Sequence, residues 1–276
     1  MALGGYPPEL HFLADLGIEL DAGHHPHTVA RLPVTPHLLG LDGGVHAGVL
    51  ATLVDIVGGS IAMRAVHPDW MVTADMSLQV VRPAVGPVVE ARGSILRQGR
   101  TTLVVEVEVF DETSDDRPVA WSVLSFAVLP LANGDRAAVD LQSLPSSTVF
   151  GIPGLDQHLL DVLSIASGDQ PDTLAMPIDQ YVRNSIGAVQ GGVVALLAEV
   201  AAARAVAASL QTAAPVVSTD LQITYLATGR IGPLVARVRS VTADPASGSG
   251  RGIVDLVDTG ADDRLSAVVA VGAMAW

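Results

Sequence analysis

The sequence predicts an α+β chain built from two copies of one unit, each an antiparallel sheet wrapped around a long central helix. Three observations predict it. The 276 residues repeat themselves with a period of about 144. Each copy holds a single long apolar stretch of helical length, GGVHAGVLATLVDIVGG in the first and NSIGAVQGGVVALLAEV in the second. In each copy that stretch is followed by strand-like segments rich in Val, Ile and Thr. One long helix per several strands excludes a doubly wound parallel sheet, which needs a helix at every crossover.

The repeat is read residue by residue. Pro33 falls on Pro177, Gly40 on Asn184, Gly43 on Gly187, His46 on Gln190, Gly48 on Gly192 and Asp55 on Glu199. One residue is then inserted in the second copy, after which VTADMSLQVV matches VSTDLQITYL with Asp75 on Asp220. GRTTLVVEVEVFD pairs with GRGIVDLVD further on. A short N-terminal helix is expected at 8–16 and again at 155–165, and the long helices at 46–66 and 191–210. In the first copy the strands are expected near 72–81, 86–96, 101–110 and 118–129. Residues 1–131 then form the first domain and 153–276 the second. The Pro-, Ser- and Ala-rich stretch at 132–152 lacks periodicity and reads as a linker.

Composition narrows the function. The net charge of −14 argues against nucleic acid and anionic membranes as partners. Every one of the 15 basic residues is Arg, which excludes Schiff-base lysine chemistry and the phosphate-loop lysine. Absence of Cys excludes disulfides and thiol nucleophiles and fits a reducing cytoplasm. The N-terminal stretch has no basic segment and no long apolar run, so no signal peptide is expected. Both long helices carry an acid in mid-run, so neither is expected to span a membrane.

Those acids, Asp55 and Glu199, need a purpose. The glycine-bearing entry to each helix leaves free backbone N–H groups near Ala47–Gly48 and Gly191–Gly192, where the helix dipole favours an oxyanion. Asp55 lies eight residues beyond Ala47, about 12 Å along the axis. One carbonyl cannot reach both. If amides and acid serve one reaction, they come from different helices, and two helices packed antiparallel supply that. The start of the first helix then faces Glu199, and the start of the second faces Asp55.

These residues carry a resemblance. The chain resembles the hotdog-fold acyl-CoA thioesterases of the phenylacetate-pathway type, arranged as a tandem double hotdog. The entry motif of that family has Asn, Gly three residues later, His or Gln three after that, two Gly, and an acid nine beyond the His. Asn184, Gly187, Gln190, Gly191, Gly192 and Glu199 fit it fully. In the first copy Gly43, His46, Gly48 and Asp55 match, with Gly40 in place of the Asn and Ala47 in place of the first Gly. The family's Ser or Thr two residues before a strand Asp corresponds to Thr73 and Ser218.

The resemblance implies that a thioester carbonyl is held at the helix start while the acid attacks it or activates a water, oriented by the hydroxyl. Asn184, Gln190 and Gly191 would combine with Asp55 and Thr73 in the fuller site. His46 and Ala47 would combine with Glu199 and Ser218 in a weaker one, or one with another acyl preference. Coenzyme A would enter as part of the substrate, with no separate cofactor and no metal. Its phosphates would be gripped by Arg100 and Arg251, which follow aligned glycines, with Arg82 as a further candidate. His24, His25 and His27 read as a solvated loop, and Asp75 and Asp220 as structural hydrogen-bonding groups. A homo-oligomer is expected, as many such folds assemble. The alternatives are a hotdog dehydratase or hydratase, and a non-catalytic acyl-CoA-binding scaffold.

Overall fold

Each long helix starts where a glycine lets the chain reverse. Gly43 and Gly187, at matched places in the repeat, hold φ of +76° and +77°, a region that side chains disfavour. Their amides donate to Gly40 O and Asn184 O, and one residue pair later Leu39 bridges Val45 and Arg183 bridges Val189. The structure, a computed structural model, describes residues 6–23, 28–113, 115–130, 146–170 and 172–276. The first half runs α1 (Phe12–Leu16), β1 (Glu19–Asp21), β2 (Thr28–Pro33), the central helix α2 (Ala47–Val66), β3 (Trp70–Val80), β4 (Val88–Gln98), β5 (Thr102–Asp111) and β6 (Ala120–Leu129). There follow β7 (Ser147–Val149), α3 (Leu159–Val162), β8 (Ala166–Ser167), β9 (Thr173–Met176), the central helix α4 (Gly191–Leu210), β10 (Val216–Tyr225), β11 (Leu234–Asp244), β12 (Ser249–Asp258) and β13 (Arg264–Ala275).

The two copies do not merely sit side by side. Among the described residues their strands form one 13-stranded sheet in the order β7-β1-β2-β4-β5-β6-β3-β10-β13-β12-β11-β9-β8. The halves join where β3 pairs antiparallel with β10, with Leu78 opposite Leu221 and Thr224 donating to Asp75 across the seam at 2.8 Å. Asp75 is therefore structural. The sheet curls round both helices. Val49, Leu50, Leu53, Val54 and Val57 of α2, and Val193, Ala195, Leu196 and Leu197 of α4, are buried. Both helices are long and apolar enough by composition to cross a membrane, and here they are the interior of the fold.

The helices pack antiparallel at very short range. A Cβ on Gly48 would stand 2.3 Å from Leu196 Cα, and one on Gly192 would stand 2.6 Å from Thr52 Cα. Backbone meets backbone only because both positions lack a side chain. This contact sets the distance from each helix start to the acid of the other helix.

Two expectations are corrected. The short helices are shorter than expected, beginning at Phe12 and Leu159, because His11 and His158 cap them by accepting from Leu13 N and Leu160 N. Part of the expected linker is a strand: β7 pairs with β1 at the outer edge of the first half. Residues 132–145 of that linker, residue 131 before it, and the histidines at 24, 25 and 27 lie outside the described residues.

Candidate active site

The antiparallel clasp creates two pockets at the seam, each with an acid from one half and a helix start from the other. The first is a cavity of about 400 Å³ lined by Asp55, Trp70, Met71 and Thr73 of the first half and by Asn184, Gln190, Gly191 and Tyr225 of the second. The second, about 320 Å³, is lined by His46, Ala47 and Val80 of the first half and by His158, Glu199, Arg204 and Ser218 of the second.

In the Asp55 pocket the acid is placed for chemistry. Thr73 Oγ1 donates to Asp55 Oδ1 at 2.9 Å, and a Cβ at Gly191 would meet Asp55 Oδ2 at 3.1 Å. Glycine leaves that space free. Burial raises the Asp55 pKa from 3.8 to about 6, with the Thr73 hydrogen bond pulling the other way. The group is thus ionised near neutrality yet basic enough to take a proton, as a general base requires. The amides of Gly191 and Gly192 have no side-chain partner among the described residues. A carbonyl oxygen placed on them brings its carbon within reach of the carboxylate, directly or through one water.

Several residues here act on the site's shape. Asn184 Oδ1 accepts from Ile186 N and Ala188 N, so its carbonyl oxygen organises the turn ahead of α4. In the first half Asp42 does part of that work, taking Gly44 N at 3.0 Å, which offsets the glycine at position 40. Gln190 donates to Tyr6 Oη, and Tyr6 in turn donates to Arg183 O at 3.3 Å. Tyr225 donates to Gly191 O at 3.1 Å; burial first, and the nearby Asp55 second, raise its pKa well above the ordinary value, so the phenol keeps its proton.

The Glu199 pocket is built differently. Glu199 is one methylene longer than Asp55, and it reaches the amides themselves. Ala47 N donates to Oε1 at 3.1 Å and Gly48 N to Oε2 at 2.7 Å. His46 Nδ1 lies 3.2 Å from Oε1. Burial alone would lower the His46 pKa, but Glu199 beside it raises it overall. Ser218 Oγ, which aligns with Thr73, is buried without a partner among the described residues.

The residues proposed to hold coenzyme A are not at either pocket. Arg251 is paired with Asp220 at 2.9 Å in a separate surface depression, its charge already met by a carboxylate. Arg100 is exposed in the turn between β4 and β5. Arg82 neighbours Pro83 of the Glu199 pocket, but its guanidinium donates to Arg117 O. Two other arginines are closer. Arg204 lines the Glu199 pocket, and Arg230 donates through Nε to Thr228 Oγ1, which lines the Asp55 pocket.

Sequence reasoning missed Tyr6, Tyr225, His11, His158, Arg204 and Arg230. A signal existed for some. LHFLADLG and QHLLDVLS place a His at the same step of each copy. His11 Nδ1 accepts from Leu13 N, so Nε2 carries the proton it gives to Arg183 O at 2.7 Å; His158 makes the matching contact with Leu39 O at 3.0 Å. Each histidine ties its own half to the turn before the other half's central helix. Tyr225 aligns with Val80, a phenol where the repeat has an aliphatic.

Comparison with known proteins agrees with this architecture. The model of the Thioesterase superfamily matches residues 42–117 and 186–248, one segment in each half. An acyl-coenzyme A thioesterase 13 from Mus musculus is 29% identical over 84 residues, 30% of this chain and 59% of that protein. A candidate esterase from Halobacterium salinarum is 31% identical over 128 residues, 43% of this chain and 83% of that protein. A hot-dog-fold protein from Alicyclobacillus acidocaldarius superposes with a TM-score of 0.60 at 12% identity, covering 96% of this chain and 98% of that one. The matched segments, about half of the residues, place the chain in the thioesterase superfamily, with two hotdog units in one polypeptide. Its reaction is thioester hydrolysis.

Proposed function

We propose that the chain hydrolyses acyl-CoA thioesters to a carboxylic acid and free coenzyme A in the pocket over Asp55. The observation that carries this is the Asp55 carboxylate of one half set against Gly191 at the start of the other half's central helix, 3.1 Å from where a Cβ there would stand. The thioester carbonyl oxygen accepts from the Gly191 and Gly192 amides. Asp55 either takes a proton from the water that adds to the carbonyl carbon, or adds to that carbon itself and forms a mixed anhydride that water then cleaves to free the acid and restore the carboxylate. The carbon–sulfur bond breaks as the tetrahedral centre collapses, and the thiolate leaves. The amides oppose the charge that grows on oxygen, in a place where water no longer screens it. The mouse relative's name supports coenzyme A as the carrier of the thioester.

Thiol release from a series of acyl-CoA chain lengths tests the reading. Release supports it. Hydration of an enoyl thioester without thiol release would replace it with a hydratase, and binding without turnover with a scaffold. Arg230, exposed and hydrogen-bonded to Thr228 of the pocket lining, is our candidate for meeting the phosphates of coenzyme A. Arg230→Ala is expected to raise KM about fivefold for an acyl-CoA, in keeping with about 1 kcal/mol for an exposed charge pair. KM for an N-acetylcysteamine thioester, which lacks those phosphates, stays as in wild type. Steady-state kinetics on the two substrates checks this.

A further inference from the structure

The two pockets differ in what occupies the amides at the helix start. In the Asp55 pocket the acid stays with Thr73 and the Gly191 and Gly192 amides stay open. In the Glu199 pocket the carboxylate straddles the Ala47 and Gly48 amides, one oxygen on each, with His46 Nδ1 beside it. We propose that Glu199 is an internal plug: its carboxylate fills the carboxylate- and carbonyl-binding cradle of α2, and the chain hydrolyses thioester at only one of its two seam pockets.

A second, independent observation supports this. Ser218 Oγ lines the same cavity and is buried with no partner among the described residues, although its counterpart Thr73 holds an acid. That is the mark left where a carboxylate has turned away from its hydroxyl to the far amides. The difference in length between Glu and Asp accounts for the turn. Ala47 adds a methyl group where Gly191 leaves free space, which further narrows the entry for a thioester. The cradle of α2 therefore recognises the carboxylate class of ligand and is supplied with one by its own chain. That hydrolysis occurs at one pocket rests on the proposed function; the occupancy of the cradle does not.

Glu199→Ala tests the occupancy. It vacates two amides and the face of His46, and acetate is small enough to take the empty place. Acetate is expected to raise the melting temperature of Glu199→Ala in a saturable way and by clearly more than that of wild type, whose Gly191 and Gly192 amides stay open in both proteins, at the same ionic strength. Should the alanine variant fail to fold, Glu199→Ser keeps a hydroxyl in the cavity, and the same response to acetate is expected. The second arm is thiol release by Asp55→Asn. With the Glu199 pocket plugged, under one-hundredth of the wild-type rate remains. An acetate response equal to that of wild type in the folded variant, or about half of the rate surviving in Asp55→Asn, overturns the proposal. If wild type releases no thiol from any thioester, the hydrolase reading fails while the acetate arm still decides the plug.

Discussion

Asp55→Asn is expected to lower thiol release at least a hundredfold while making the protein more stable at alkaline pH. The first effect follows from removing the carboxylate that, alone among the described residues, lines the pocket of the open amides; loss of a general base is worth about 10²–10⁴ in rate. The second follows from what burial does to that carboxylate. The folded state raises the Asp55 pKa from 3.8 to about 6, so it holds the proton more tightly than the unfolded chain does. That contribution to stability is fully present below pH 3.8 and is lost as pH rises through about 6. An amide carries no such dependence. Between pH 4 and pH 8 the variant's stability relative to wild type should improve by at most about 3 kcal/mol, from roughly two pKa units at about 1.4 kcal/mol each. Urea unfolding of both proteins at the two pH values measures it. The enzyme carries an unstable charge in its interior for the sake of a base that is ready near neutrality.

Gly48→Ala is expected to cost 3 kcal/mol or more and to damage both pockets together, the upper end of what overpacking does to a well-packed core. The new methyl would stand 2.3 Å from Leu196 Cα and 2.6 Å from Leu196 N. Backbone cannot rotate aside as a side chain can, so α2 and α4 must separate. Separation draws Asp55 from Gly191 and Glu199 from Ala47 at once, because one crossing sets both distances. Gly58→Ala is the control. It lies on the same helix, and its Cβ would meet only side-chain atoms, Phe126 at 3.1 Å and Leu124 at 3.3 Å. A Gly48→Ala protein with normal melting temperature and turnover would show that the helices do not touch as described.

What could be read from the sequence was what is periodic or repeated. The long helices begin and end within a residue of expectation because Gly43 and Gly187 mark their entries and an unbroken apolar run marks their length. The β3 to β6 strands lie within about two residues of expectation for the same reason, their Val- and Ile-rich alternation being local. The antiparallel clasp was deducible too, from the distance along one helix between its amides and its acid. What was hidden depends on long-range partners. Nothing local shows that Arg251 spends its charge on Asp220, or that β3 and β10 fuse two sheets into one. Tyr6 reaches Gln190 across 184 residues of sequence. The most consequential miss is the rotamer of Glu199. In the alignment it is the equal of Asp55, and one methylene turns it from the serine to the amides.

The pH dependence of kcat/KM for thiol release tests most directly whether Asp55 of one half works on a thioester held by the other. With Asp55 as the base, the logarithm of kcat/KM climbs by one unit per pH unit on the acid side, bends near pH 6 and is level above it. A rate that stays level from pH 4 to pH 8, or one whose bend is unchanged in Asp55→Asn, would contradict the account.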